Sequence, residues 1–366
     1  VSIMSAADGL EGVVAAETVL SDVDGAAGRL IIRGHSLDEI AGRWTFEEAA
    51  ALLWSGFFDQ LPDDMAAAIG AARVEVAEEL AALDARLAAR APIEAMRALT
   101  ARLADGDDLA TALRLVAAPA VFTAAAVRAQ AGEAPIAPDP SLSHAADILR
   151  MFRGRPASEA EVAALQAYLV TICDHGFNAS TFAARVVAST RAGLTSAVLA
   201  GISALKGPLH GGAPGPVIDM LDAIGAPENA RAWLEAALDR GDRLMGFGHR
   251  VYRVRDPRAD ALKRAVKVLG AESNVLPGRL ALAEAVERAA LEVLHERKPN
   301  RSLDTNVELY TALLLEALAF PPSAFTCVFA MGRAAGWVAH AREQVLGGRL
   351  IRPASLYVGP RPQEAA

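Results

Sequence analysis

Two histidines sit in glycine-rich turns: His210 in GPLHGGA (207–213) and His249 in GFGHRVYRVRDPR (246–258). Glycine lets the backbone take positive φ and approach a ligand closely. A neutral imidazole in such a turn donates one hydrogen bond and accepts another. The chain has only 7 histidines in 366 residues, so two in turns of this kind suggest a shared polar site. Downstream, DTNVELY (304–310) supplies a carboxylate, Glu308. Two imidazoles and a carboxylate make an acid–base set: one group removes a proton while the others donate where negative charge develops on oxygen.

Each of these residues also has a plainer reading. His210 lies beside an expected helix start, where backbone N–H groups and the helix dipole disfavour imidazolium; taken alone it is a capping histidine. Near His249, Arg250, Arg253, Arg255 and Arg258 follow in close order. Such a cluster suits a multiply charged anion, although Arg250 and Arg255 read better as a solvated basic loop. Arg258, just after Asp256-Pro257 at a helix start, has the stronger functional claim. On spacing alone Glu308 is an acid complementing a helix N-terminus; the alternative is a base whose pKa is lifted by an apolar site. His175, in DHGFN, reads as structural, linked to a helix end through Asp174. Arg333 interrupts an apolar helix and needs either a protein carboxylate or a ligand. Arg352 lies in a closing segment that reads as a surface arm.

The elements that must position these groups are mostly helices. Residues 9–34 alternate short apolar runs with Gly and Asp and predict a small strand or hairpin region. From Ser36 onward the apolar periodicity is helical. Thr45 caps a helix closing at Gly56. Helices are expected over 62–90, 92–105 and 107–131, then a Pro-rich connection over 132–144. Ser158-Glu-Ala-Glu161 is a capping box for a helix that delivers DHGFNAST (174–181). An apolar stretch over 182–205 leads to His210. Shorter helices follow at 215–224, 228–240, 257–269 and 278–296, and a long one at 323–346. This change of texture predicts a mainly α, two-domain fold. The large domain takes residues 1–211 and 319–366, with a smaller helical domain, 212–318, inserted.

Composition narrows the function classes. The chain is 53% hydrophobic but only 5% aromatic, which suits close-packed helices rich in Ala, Leu and Val. The net charge of −8 argues against a nucleic-acid partner. Of 36 basic residues 32 are Arg, a residue suited to bidentate carboxylate contacts. Cys173 and Cys327 read as buried reduced thiols, and no Cys/His spacing suggests a metal site. The opening residues do not read as a secretory signal, and no uncharged apolar run reaches the ~18 residues of a membrane span. A cytoplasmic location is expected.

Seven ordered motifs together resemble the citrate synthase family: LEGVVAAETVLSDVDGAAGRLIIRG, DHGFNASTFAARVVAST, GPLHGGA, MGFGHRVYRVRDPRA, TNVE, FAMGRAAGWVAHAREQ and RLIRPASLYVGP. The match covers nearly the whole chain and looks most like the short bacterial citrate/2-methylcitrate synthase branch. The resemblance implies that His210, His249 and Glu308 are catalytic. It implies that His175, Arg258 and Arg333 hold oxaloacetate, and that Arg352 reaches into the partner subunit's site of a homodimer. Arg253 matches a position contacting coenzyme A phosphate. Acyl-CoA is a substrate in that reading, and no cofactor or metal is implied. Two positions depart from the family's usual pattern: Glu308 stands where Asp is usual, and Pro214 where many members have Asn.

The resemblance implies that Glu308 deprotonates the acyl-CoA while His210 donates to the thioester oxygen, and that His249 polarises the ketone of oxaloacetate. Three other readings stay open. They are 2-methylcitrate synthesis from propionyl-CoA, a weakly catalytic ligand-binding homologue suggested by the Asp-to-Glu change, and citryl-CoA cleavage at the same site.

Overall fold

The computed structural model describes residues 8–10, 12–211, 214–248, 251–271, 276–299, 301, 303–360 and 362. Among these the chain is mainly α, as expected. The N-terminal region forms a three-stranded antiparallel sheet: β1 (Ser21–Asp24), β2 (Arg29–Ile32) and β3 (His35–Ser36). Ser21 pairs with Ile32 and Asp24 with Arg29. The β1–β2 turn is pressed against the segment after His249. A Cβ on Gly25 would lie 2.1 Å from the Val251 carbonyl oxygen, so only glycine fits there.

The helices follow in order: α1 (Leu37–Ile40), α2 (Phe46–Trp54), α3 (Met65–Val76), α4 (Ala85–Ala88), α5 (Pro92–Thr100), α6 (Leu109–Gln130), α7 (His144–Arg153) and α8 (Glu159–Ile172). After the 174–178 turn come α9 (Ala179–Ser189) and α10 (Leu194–Leu205). Then follow α11 (Pro214–Ile224), α12 (Ala230–Asp239), α13 (Pro257–Gly270), α14 (Leu276–Arg297), α15 (Val307–Ala317) and α16 (Phe325–Gly347).

Local signals account for most boundaries. Thr45 and Ser158 both close capping boxes, with Glu48 and Glu161. The Pro-rich connection runs outside regular helix up to the Ser143 cap of α7. One expectation needs correction. The span 62–90 is not one helix: 3-10 turns over Ala77–Ala82 separate α3 from the single-turn α4. The apolar stretch 182–205 breaks into α9 and α10 at Arg191 (φ 61) and Gly193 (φ 103), whose positive φ no right-handed helix accommodates.

Helix α16 runs through the centre and packs on α2, α6, α8, α9 and α10. Its glycines permit close approach. A Cβ on Gly336 would lie 2.2 Å from the Cys173 carbonyl oxygen, and one on Gly332 2.7 Å from Ile172 Cδ1. That proximity carries Arg333 to the end of α8. Helices α11 to α15 pack chiefly on one another and join the rest through α13 against α8. Helix α6 is long and apolar enough to cross a membrane, but 78% of its apolar window is buried, as in a core helix. Cys173 and Cys327 are both buried and free, and burial pushes each thiol up to about 12.

Candidate active site

The turn after α8 is fixed by Asp174. Its buried carboxylate accepts from Ser21 Oγ (2.5 Å) and lies 3.1 Å from His340 Nε2, whose Nδ1 is 3.0 Å from Arg185 Nη1. Ser21 Oγ also accepts the Gly176 N–H at 2.9 Å. Burial alone would raise Asp174, but His340, Arg333 and Ser21 hold it below its usual value. The link expected between His175 and Asp174 is therefore replaced. Asp174 serves His340, while His175 Nε2 lies 3.1 Å from the Tyr252 hydroxyl. His175 and Tyr252 are both buried.

Helix α9 opens on Asn178, whose Oδ1 accepts the Ser180 and Thr181 N–H groups. This cap sets Ser180 Oγ 2.8 Å from His210 Nε2. The same hydroxyl accepts Trp337 Nε1–H at 3.1 Å and is placed to donate to Asn178 Oδ1 at 2.7 Å. His210 sits in a turn closed by its own N–H to Gly207 O and by Gly211 N–H to Leu205 O. Burial, with Arg333 and Arg258 nearby, lowers His210 to about 4. The imidazole is neutral, as expected, but not through a helix dipole: its depression comes from burial and two guanidiniums.

At the start of α13, Asp256 caps the helix and grips Arg258. Its Oδ1 accepts from Arg258 Nε at 3.0 Å and its Oδ2 from Nη2 at 2.8 Å. Burial works against the Arg258 charge, but Asp256, Tyr252 and Glu308 raise its pKa. Arg333 is held differently. Its Nε donates to the Ile172 carbonyl at 2.7 Å, whereas its buried Nη2 has no hydrogen-bond partner among the described residues. Burial lowers Arg333 to about 10, with Asp174 opposing and Arg258 adding to the shift.

Glu308 lies in the first turn of α15, capped by Asn306. Asn306 also ties this corner to the glycine loop before His249. Its N–H donates to Gly246 O at 3.0 Å and its Nδ2 to Gly248 O at 2.9 Å. Burial raises Glu308, against the opposing pull of Arg243, Arg258 and the Gly246 backbone. His249 and Arg250 lie outside the described residues, one step beyond Gly248.

His210, Arg258, Arg333 and Glu308 thus influence one another electrostatically within one site. His175 joins them through Tyr252, whose ring lies 5.9 Å from the Arg258 guanidinium carbon. Two expected residues stand apart. Arg352 is exposed in the extended segment after α16, and the side chain of Arg253 is exposed while its N–H donates to Gly25 O. Arg255 does not belong to a solvated loop, because it pairs with Asp260 and Glu287. Beside Gly248 opens a cavity of about 460 Å³ lined in part by Arg243, Lys298 and Arg301. Sequence spacing singled out none of those three, nor Ser180 or Tyr252.

Residues 9–354 match the family described as citrate synthase, C-terminal domain. The chain belongs to the citrate synthase family. A citrate synthase of Haloferax volcanii is 38% identical, over 96% of this chain and 96% of its own length. A 2-methylcitrate synthase of Mycobacterium tuberculosis is 37% identical, over 96% of this chain and 90% of its own. The crystallised citrate synthase of the archaeon Thermoplasma acidophilum, a ternary complex with carboxymethyl coenzyme A and oxaloacetate, superposes with a TM-score of 0.85 at 28% identity, covering 99% of this chain and 98% of that one. This chain is an enzyme of the citrate synthase family and shares its helical two-domain fold.

Proposed function

We propose that this enzyme condenses acetyl-CoA with oxaloacetate, giving citrate and free CoA. The observation that carries the reading is the buried pair Arg258 and Arg333, the Nη2 of Arg333 having no hydrogen-bond partner among the described residues. Two buried guanidiniums that feel each other's charge call for a compact dianion, and oxaloacetate supplies two carboxylates. His175 adds a donor from the α8 side.

The acid–base steps follow from the remaining groups. Glu308, raised by burial, is the base that takes a proton from the thioester methyl. His210, neutral, donates from Nδ1 to the thioester oxygen and stabilises the enol or enolate. For Nδ1 to carry the proton, Ser180 must give its one hydroxyl hydrogen to Nε2, 2.8 Å away, instead of to Asn178 Oδ1. His249 polarises the oxaloacetate ketone and protonates the new alkoxide. Water then hydrolyses the citryl thioester. These steps use acid–base and electrostatic chemistry alone, so the reading includes no cofactor or metal. The cations around the cavity beside Gly248, Arg243, Lys298 and Arg301, suit the phosphates of CoA, with Arg253 as a further contact.

In this reading residues 1–211 and 319–366 form the large domain, and 212–318 close on it over bound oxaloacetate. The enzyme works as a cytoplasmic homodimer in which the exposed Arg352 completes the partner's site. The 2-methylcitrate synthase relative supports a second acyl donor, propionyl-CoA. One methylene changes such a preference by only ~1–3 kcal/mol. Thiol release from each acyl-CoA, with and without oxaloacetate, tests both readings. Oxaloacetate-dependent release that is faster with acetyl-CoA supports the first, and faster release with propionyl-CoA the second. No release with either refutes both.

A further inference from the structure

Behind the site stands a buried carboxylate that none of these roles uses. Glu287, on α14, is 5% exposed. Its Oε1 accepts from Arg255 Nη1 at 2.6 Å and Thr305 Oγ1 at 2.8 Å; its Oε2 accepts from Tyr310 OH at 2.5 Å and Lys263 Nζ at 3.1 Å. A carboxylate offers about four acceptor positions, so this one is filled. Burial alone would raise it, but Tyr310, Arg255 and Thr305 bring it down to about 2, and it stays ionised through the neutral range.

The donors come from the segments that carry the site. Arg255 precedes Asp256, which grips Arg258 and accepts the Val307 N–H at 3.3 Å. Thr305 precedes Asn306, which ties down Gly246 and Gly248 ahead of His249. Glu308 lies between Thr305 and Tyr310. Tyr310 is two residues beyond Glu308, about 200° round an ideal helix. Glu287 therefore holds the back of α15 while Glu308 occupies a different face.

We propose that Glu287 is a positioning residue for the condensation, aiming Glu308 through Thr305 and Tyr310. This inference rests on the reading of Glu308 as the base. Glu287→Gln would leave Arg255 and Lys263 without their shared charge, so the test uses the neutral partners, Thr305→Val and Tyr310→Phe, singly and together. In the double variant kcat should fall about 10- to 100-fold, as for a catalytic group displaced by a fraction of an ångström to 1 Å. The dissociation constant for oxaloacetate should stay within about twofold, because Arg333 and His175 are not touched. Thr305→Ser, which keeps the hydroxyl, should retain the parent kcat. A folded double variant with parent kcat would overturn the inference, as would a loss of kcat accompanied by an equal loss of oxaloacetate affinity. If Glu308→Gln is itself fully active, the underlying reading fails; if Glu308→Gln is inactive while the double variant is not, only the role of Glu287 fails.

Discussion

Ser180 Oγ and His210 Nε2 lie 2.8 Å apart, joining the first turn of α9 to the glycine turn before α11. The contact leaves Nδ1 as the histidine atom available to a ligand. Because the hydroxyl has one proton, its direction selects the histidine tautomer.

Ser180→Ala should therefore lower kcat by about 10- to 100-fold through loss of tautomer and aim. Exchange of acyl-CoA methyl protons with solvent should fall in parallel, since His210 acts in enolisation. Unchanged exchange in a folded variant would remove Ser180 from the mechanism.

Arg333 carries a buried charge whose Nε donates to Ile172 O, while its Nη2 has no partner among the described residues. Its replacement by Met should leave the ligand-free protein as stable or more stable, because a poorly compensated buried ion is removed. Oxaloacetate binding should weaken by roughly 2–5 kcal/mol, about 30- to 4,000-fold. Thermal unfolding and calorimetry read the two effects separately. Normal oxaloacetate affinity in Arg333→Met would contradict the assignment.

Activity should also report the raised Glu308. The base works ionised, so kcat/KM should decline as pH falls through its pKa, above the ordinary 4.5. His210, at about 4, stays neutral across that limb. A pH–rate profile flat down to 4.5 would show that no raised carboxylate controls the reaction.

Stability has its own pH dependence. Burial, then Arg73, holds His144 well below 6.5, and burial with Arg333 and Arg258 lowers His210 to about 4. Both are neutral in the fold, while the unfolded chain takes up protons below 6.5. Stability is thus intact above that pH and lost as pH falls, by up to about 1.4 kcal/mol per unit for fully buried His144. Tm should drop between pH 6.5 and 5, and His144→Asn should flatten the slope. An unchanged slope would exclude His144 as a source.

Much of this architecture is legible in the sequence because its signals are local. The Ser158–Glu161 capping box, the Asp256-Pro257 helix start and the glycine turn at His210 all work over a few residues. The missed features depend on distant partners. Ser180 meets His210 30 positions away, His175 meets Tyr252 77 away, and Asp174 meets His340 166 away. No spacing rule encodes such contacts. The break between α9 and α10 falls where Arg191 takes a positive φ that its residue type does not announce. Arg255 reads as solvated because its partner, Glu287, lies 32 positions further on.

The most direct measurement is oxaloacetate affinity and turnover in the same preparation of Glu308→Gln. The amide keeps the shape of the side chain but removes the base, whereas Arg258, Arg333 and His175 remain. Oxaloacetate should bind within about twofold of the parent, while condensation falls by about 10²-fold or more, the usual share of a general base. Near-parent turnover in Glu308→Gln would contradict the claim that this carboxylate deprotonates the acyl-CoA.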